Sequence, residues 1–272
     1  MPELPEVEMV RRSLEPLLVG HKIVGADVLF EDYLRECSGN DVCSLVEQRF
    51  HQLVRHGKYL YLMVDKRELE THLGMTGRLL VCGRGEERVK HTHVCLHLDS
   101  GQELRFIDPR RFGYLRIRRT GAAHERQSML GIEPLRPDFT WQNVEKALRG
   151  RKAPLKSLLM DQKIVAGLGN IYADEALFRA QLNPCQPAGA LSEEVYQRLC
   201  DAIESVIADA LGAGGTTFSD YVDANGDGGE FYRSLDAYGR EGQPCRHCDT
   251  PLVRMVLGGR SACYCSRCQP LV

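Results

Sequence analysis

Two groups of residues in this 272-residue sequence have types and spacings suited to chemistry. The first is CRHC (245–248) and CSRC (265–268), two Cys-x2-Cys pairs separated by sixteen residues. Each pair can place two thiolates on one metal from a tight knuckle, and two knuckles complete a tetrahedron. Cys245, Cys248, Cys265 and Cys268 are therefore the expected ligands of one zinc ion. Four cysteines leave no open position, so this zinc is structural. A redox dithiol is the alternative, and two pairs at this spacing argue against it. Cys263 is a fifth thiol on the same strand face as Cys265, and the x2 spacing to Cys268 favours Cys265. The second group is MPELPEVE at the start, two prolines and three carboxylates where most domains are frayed. It is either a solvated tail or a reagent.

The elements that must position these groups can be read from hydrophobic period. Pro5 suits a first helical turn, where its missing N–H goes unneeded, and Val7, Val10, Leu14 and Leu17 follow at helical spacing. Pro16 should end or kink that helix. From Lys22 to about Leu115 short β-rich runs such as KYLYLMV, HVCLHL and YLRI alternate with Gly, Asp and Arg clusters. This predicts a β-sandwich with the N-terminal helix packed on it. Residues 120–140, with two glycines and two prolines, read as a linker. Beyond it the period becomes 3.6, through WQNVEKALRG, PLKSLLMDQ, NIYADEALFRAQL and a long segment from Ser192. AGGTTFSDYVDANGDGGE (213–230) is too rich in glycine and aspartate for a regular element, and long loops in compact domains are usually functional or disordered. PLVRMVLGGRSACY, between the two knuckles, reads as a β-hairpin turning at Gly258-Gly259 with Arg260 beside the turn. The expected class is α+β, with three segments: a sandwich at 1–130, a helical domain at 131–236 and a zinc finger at 237–272.

Composition is that of an ordinary soluble globular protein, 43% hydrophobic and 26% charged, with no apolar run of membrane-spanning length. The acidic, proline-bearing start is unlike a signal peptide, and the expected compartment is the cytoplasm. There the eleven cysteines are thiols or metal ligands, and the six scattered ones read as small core residues. Net charge is −2, but RFIDPRRFGYLRIRR (105–119) carries six arginines against one aspartate. A polyanion can bind such a stretch locally; a solvated face explains it as well, and charge alone does not separate the two.

MPELPEVE, HGKYL, HLGMTG, DPRRFG, LLMDQKIVAGLGNIYADEALF and the four-cysteine hairpin follow in this order along nearly the whole chain. Together they resemble the bacterial formamidopyrimidine-DNA glycosylases, a branch of the family that also contains endonuclease VIII. The resemblance implies a sandwich, a helix–two-turn–helix domain and a zinc finger, acting on double-stranded DNA with oxidised bases or abasic sites. It implies a monomer that excises oxidised purines and then cuts the strand.

Under that resemblance the N-terminus is a reagent. Removing Met1 would free Pro2 as a secondary amine titrating about two units below lysine, near pH 8. Its attack on C1′ of deoxyribose gives an iminium that drives elimination of the 3′ and then the 5′ phosphate. Glu3, beside the amine, is the candidate for acid–base work on the sugar and glycosidic bond. Glu6, three residues on and on the same face, is expected to hold backbone amides in place, and Glu8 to be solvated. By resemblance Lys58 is the proton donor of the first elimination and Arg260 of the second. Arg260 and Asn170, the latter also a candidate helix cap, grip flanking phosphates, with Lys156 and His91 as further DNA contacts.

An enzyme acting on a base must take it out of the stack. The resemblance makes Met75 the filler of the void, Phe112 the wedge in the opposite strand and Arg110 the donor to the orphaned cytosine. The 213–230 loop becomes a flap over the flipped base, read by Thr216, Thr217 and the amides around Tyr221. RSACYC departs from the threonine- and aromatic-bearing pattern expected before the third zinc ligand. Two rivals remain: endonuclease VIII-like specificity for oxidised pyrimidines, against which DPRRFG and the loop speak, and a DNA-binding module without catalysis, which would need a defect at Pro2, Glu3 or Lys58.

Overall fold

Pro5 stands in the first turn of helix α1 (Leu4–Leu18), which buries Val7, Val10, Leu14 and Leu18 on one face. Pro16 lies within its last turn, where its missing N–H leaves the Arg12 carbonyl without its helical donor, and the helix ends at Leu18. The computed structural model describes residues 1–217 and 222–271. Two compact units emerge, Met1–Ser128 with Ala213–Glu230, and Met129–Gly212 with Phe231–Val272.

In the first unit β1 (Ile23–Val28) and the short α2 (Gly39–Cys43) precede seven strands. These are β2 (Phe50–His56), β3 (Tyr59–Val64), β4 (Arg67–His72), β5 (Arg78–Gly83), β6 (Thr92–Leu98), β7 (Gln102–Ile107) and β8 (Tyr114–Arg119). They form two antiparallel sheets, ordered β1-β6-β7-β5 and β2-β3-β4-β8. Register pairs Leu62 with Leu69 in one sheet and Leu96 with Leu104 in the other. These side chains join the α1 stripe in one core, each contributing about 1.5–3 kcal/mol by leaving water. Ala224, from the 213–230 segment, is buried in that same core; its N–H donates to Ser13 Oγ at 3.0 Å, and its carbonyl accepts the Val81 N–H.

The expected linker at 120–140 contains a helix, α3 (Ala122–Met129). Its cause is tertiary: buried Glu68 of β4 accepts the N–H groups of Gly121 and Ala123, capping α3 from a strand. The second unit holds α4 (Trp141–Leu148), α5 (Leu155–Leu159), α6 (Asn170–Arg179) and the twenty-residue α7 (Glu193–Gly212). α7 buries Tyr196, Leu199, Ile203, Val206, Ile207 and Ala210 at helical spacing. The hairpin is β9 (Val253–Leu257) and β10 (Arg260–Tyr264), turning through Gly258 and Gly259. Their φ values of 55° and 78° are those a two-residue hairpin turn demands of both central positions. The α+β class with sandwich, helical region and hairpin is as expected. Cys95 and Cys200 are buried as read, whereas Cys43 is exposed. No helix among the described residues is long and apolar enough to cross a membrane.

Candidate active site

The chain start is not a frayed tail. Pro2 and Glu3 are buried, and Glu3 occupies the N-cap of α1. Its N–H donates to Glu6 Oε2 at 2.8 Å, one half of a capping box. The other oxygen of Glu6 accepts the Thr216 N–H at 2.8 Å. One buried carboxylate thus holds the start of the chain and the foot of the 213–230 segment together. Thr216 also bridges Glu230, and Thr217 Oγ1 accepts the Gly229 N–H. Tyr221 lies outside the described residues.

Lys58 is buried at the head of β3, just after Gly57, whose φ is +56°. Arg55 ties the turn before it to α1: its Nη1 donates to the Gly57 carbonyl at 3.0 Å, and its Nε to Glu8 Oε2 at 3.0 Å. Glu8 is therefore not solvated, because Arg11 and Arg12 also donate to it. Burial alone would raise its pKa, but these guanidiniums hold it down at about 2. A depressed folded-state pKa stabilises above the unfolded value and is lost as pH falls. Wild type should lose on the order of 3 kcal/mol between pH 5 and 2 that Glu8→Gln does not lose. Urea melts of both proteins across that range test this; parallel stability curves would rule out the Glu8 cluster as the cause.

His72, at the end of β4, was not picked out from the sequence. Burial first, then the charges of Lys58 and Arg35, push its pKa down to about 4. Its Nδ1 accepts the Gly74 N–H at 3.1 Å, so a neutral ring beside Lys58 carries its hydrogen on Nε2. The alternation of β4 gives its position, but not its neighbour.

Met75 and Phe112 protrude from this unit, 38% and 55% exposed. The guanidinium of Arg110 lies 4.8 Å from the centre of the Phe112 ring. Their loops touch through backbone: a Cβ on Gly74 would stand 2.4 Å from Gly113 N and from the Phe112 carbonyl carbon. Only glycine permits that approach. His91 is exposed just before β6, in the left-handed region at φ +67°.

In the second unit, Lys156 is 1% exposed. Its Nζ pairs with Asp174 of α6 at 2.7 Å and donates to the Ser261 carbonyl of β10. Burial, opposed by Lys156, raises Asp174 to about 7. Its other oxygen accepts the Cys263 N–H at 3.1 Å, a link with no signal in the sequence. Asn170 is not a cap; Gly169 takes that position, and Asn170 begins α6 with its amide donating to Ser261 Oγ at 3.2 Å. Its Oδ1 is buried without a partner among the described residues. Arg260 is exposed and, with Lys156, Ser157 and Gly258, lines a cavity of about 180 Å³. α5, α6 and the hairpin thus gather all three phosphate candidates.

The Sγ atoms of Cys245, Cys248, Cys265 and Cys268 all lie within 4.8 Å of one another. Three of the separations are 3.4, 3.5 and 3.9 Å. Tetrahedral zinc with bonds of about 2.3 Å sets sulfurs about 3.8 Å apart, so the four thiolates fit the metal. Cys263 is outside the cluster, its thiol raised to about 11 by burial.

Three family models match in succession: the formamidopyrimidine-DNA glycosylase N-terminal domain over residues 1–115, its H2TH domain over 130–222, and the zinc finger found in FPG and IleRS over 242–271. The formamidopyrimidine-DNA glycosylase of Desulforamulus reducens is 45% identical over 275 residues, 99% of each chain. That of Roseobacter denitrificans is 42% identical over 282 residues, 99% of this chain and all of its own. The Lactococcus lactis Fpg in complex with abasic-site DNA superposes with a TM-score of 0.92 at 30% identity, covering 98% of this chain and 99% of its own. The Thermus thermophilus MutM (Fpg) structure gives 0.87 at 39% identity over the whole of both chains. The chain belongs to the formamidopyrimidine-DNA glycosylase family: it is a DNA-binding glycosylase and AP lyase of base excision repair with a four-cysteine zinc finger.

Proposed function

We propose that this enzyme excises oxidised purines, 8-oxoguanine and formamidopyrimidines, through a Schiff base on Pro2. The supporting observation is the Glu6 carboxylate, which fixes the chain start that a nucleophile would need fixed. With Met1 removed, the Pro2 nitrogen bonds to C1′ as the bond to the base breaks, and Glu3 moves the proton that opens the sugar. The resulting iminium acidifies C2′–H. Loss of that proton expels the 3′ phosphate, with Lys58 as its proton donor, and a second elimination expels the 5′ phosphate, with Arg260 in that role. Met75 and Phe112 fill and wedge the emptied stack, while Lys156, Asn170 and Arg260 hold phosphates and His91 is a further DNA contact. The enzyme works as a monomer with one structural zinc.

Arg110 gives this reading its selectivity. An orphaned cytosine offers O2 and N3 as acceptors to the paired donors of a guanidinium, whereas adenine presents an amino donor on the same edge. The mismatch is worth roughly 1–3 kcal/mol, about tenfold to a hundredfold in rate. Single-turnover excision should therefore be fastest for 8-oxoguanine opposite cytosine, slower opposite adenine, and slow for an oxidised pyrimidine. Arg110→Ala should narrow the cytosine-to-adenine ratio. Preference for the pyrimidine would transfer the enzyme to endonuclease VIII-like specificity; an unchanged ratio in Arg110→Ala would remove the role of that side chain.

A further inference from the structure

Asp108 is fully buried and belongs to none of the roles above. Its Oδ1 accepts the Thr76 hydroxyl and, at 3.2 Å, the Arg110 N–H. Its Oδ2 accepts the Gly113 N–H at 2.7 Å. Its own N–H donates to the His91 carbonyl at 3.1 Å, and its carbonyl accepts from His93 Nε2 at 2.8 Å. His93 is in turn stacked on buried Tyr33, ring centres 4.7 Å apart. Three loops that are far apart in sequence meet at this residue: the one ending in Met75 and Thr76, the one holding Arg110 and Phe112, and the one ending at His91. Each carries a side chain read above as touching DNA.

We propose that Asp108 is a positioning residue for opposite-base selection, locking the Met75 loop and the Arg110–Phe112 turn into one block of fixed spacing. The inference rests on the reading of Arg110 given above. A guanidinium distinguishes two base edges only if its donors arrive at a set angle and depth, and a void-filler on an independent loop would let the orphaned base shift to meet it. The carboxylate removes that freedom, because two amides and a hydroxyl from both loops converge on its two oxygens. Charged acceptors make the stronger hydrogen bonds, and besides them these loops are joined by glycine backbone contacts and by the Arg110 N–H donating to Thr76 Oγ1 at 3.2 Å. Nothing in Asp108 touches DNA; it acts through Arg110 and Met75.

Two variants separate this role from simple stability. In Asp108→Asn at least one of the three donors faces an NH2 group whichever way the amide is turned, the Gly113 N–H in one orientation and the Arg110 N–H with the Thr76 hydroxyl in the other. Thr76→Val deletes only the hydroxyl arm at nearly constant volume, and Thr76→Ser restores it. The readout is the ratio of single-turnover 8-oxoguanine excision opposite cytosine to that opposite adenine, in which a global loss of active enzyme cancels. The ratio should fall about tenfold in Asp108→Asn, fall less in Thr76→Val, and return in Thr76→Ser. If Asp108→Asn does not fold, Thr76→Val and Thr76→Ser decide. A ratio lost in Arg110→Ala but kept in Asp108→Asn and Thr76→Val overturns this inference alone. A wild type with no preference for cytosine overturns it together with the reading it rests on.

Discussion

Protein that keeps Met1 will not be trapped by borohydride on DNA containing an abasic site or 8-oxoguanine, whereas Lys58→Ala will be trapped at least in part. With Met1 attached, the Pro2 nitrogen is a tertiary amide, planar and without a free lone pair, and cannot attack C1′. Met1 itself is 42% exposed, while Pro2 is buried and the following N–H is held by Glu6. The amine released by processing is thus presented from a fixed position, and its pKa near 8 leaves part of it unprotonated at neutral pH. Lys58, whose charge helps to lower the His72 pKa, is proposed as a proton donor and not as the nucleophile. Trapping should fall to background in verified Met1-bearing protein. In Glu3→Gln base release should slow by about 10²–10⁴, the range of a lost acid–base group. Efficient trapping by the Met1 form, confirmed by mass, would sink the assignment of Pro2.

The second large effect is on metal. Cys245→Ser or Cys268→Ser should lose zinc and unfold β9–β10, taking Arg260 out of the DNA grip. The hairpin cannot stand alone: its core is Phe178, Ala237 and Leu252 around the cysteines. Structural zinc contributes about 10–16 kcal/mol in small fingers, far beyond what so few apolar contacts supply. Cys263→Ser should keep one equivalent of zinc, since its thiol lies outside the four-sulfur cluster. Zinc content by atomic emission, with circular dichroism of each variant, measures both. Were Cys263→Ser to empty the site while Cys265→Ser stayed loaded, the ligand set would be wrong.

What could be read from the sequence was local. The two Cys-x2-Cys knuckles, the Gly258-Gly259 turn and the face shared by Glu3 and Glu6 each lie within a few residues, where spacing dictates geometry. What could not be read was who meets whom at long range. Glu8 looked solvated because Arg55, 47 positions away, is invisible to helical periodicity. Residues 120–140 looked like a linker because the carboxylate that caps α3 sits 55 positions upstream. Asn170 looked like a cap because its type suits one, but its amide is claimed by Ser261, 91 positions on. β4, RELETH, is the sharpest case: nothing in its local pattern shows that Glu68 and Glu70 are buried, and tertiary donors satisfy both.

The 213–230 segment belongs with the first unit although the chain around it, α7 on one side and Phe231 onward on the other, belongs with the second. This fixes an order of assembly during synthesis. A nascent chain that has reached Ser128 has all eight strands of the sandwich but lacks Ala224 from its core and the Thr216 amide on Glu6. At about 5–20 residues per second, those pieces emerge roughly 5–20 s later, after α4 to α7 have left the ribosome. A truncated or nicked product ending at the domain boundary would therefore carry the reactive terminus without its brace. On the proposed reading, the chain-start amine is braced as a nucleophile only in a molecule in which α4 to α7 have already been made.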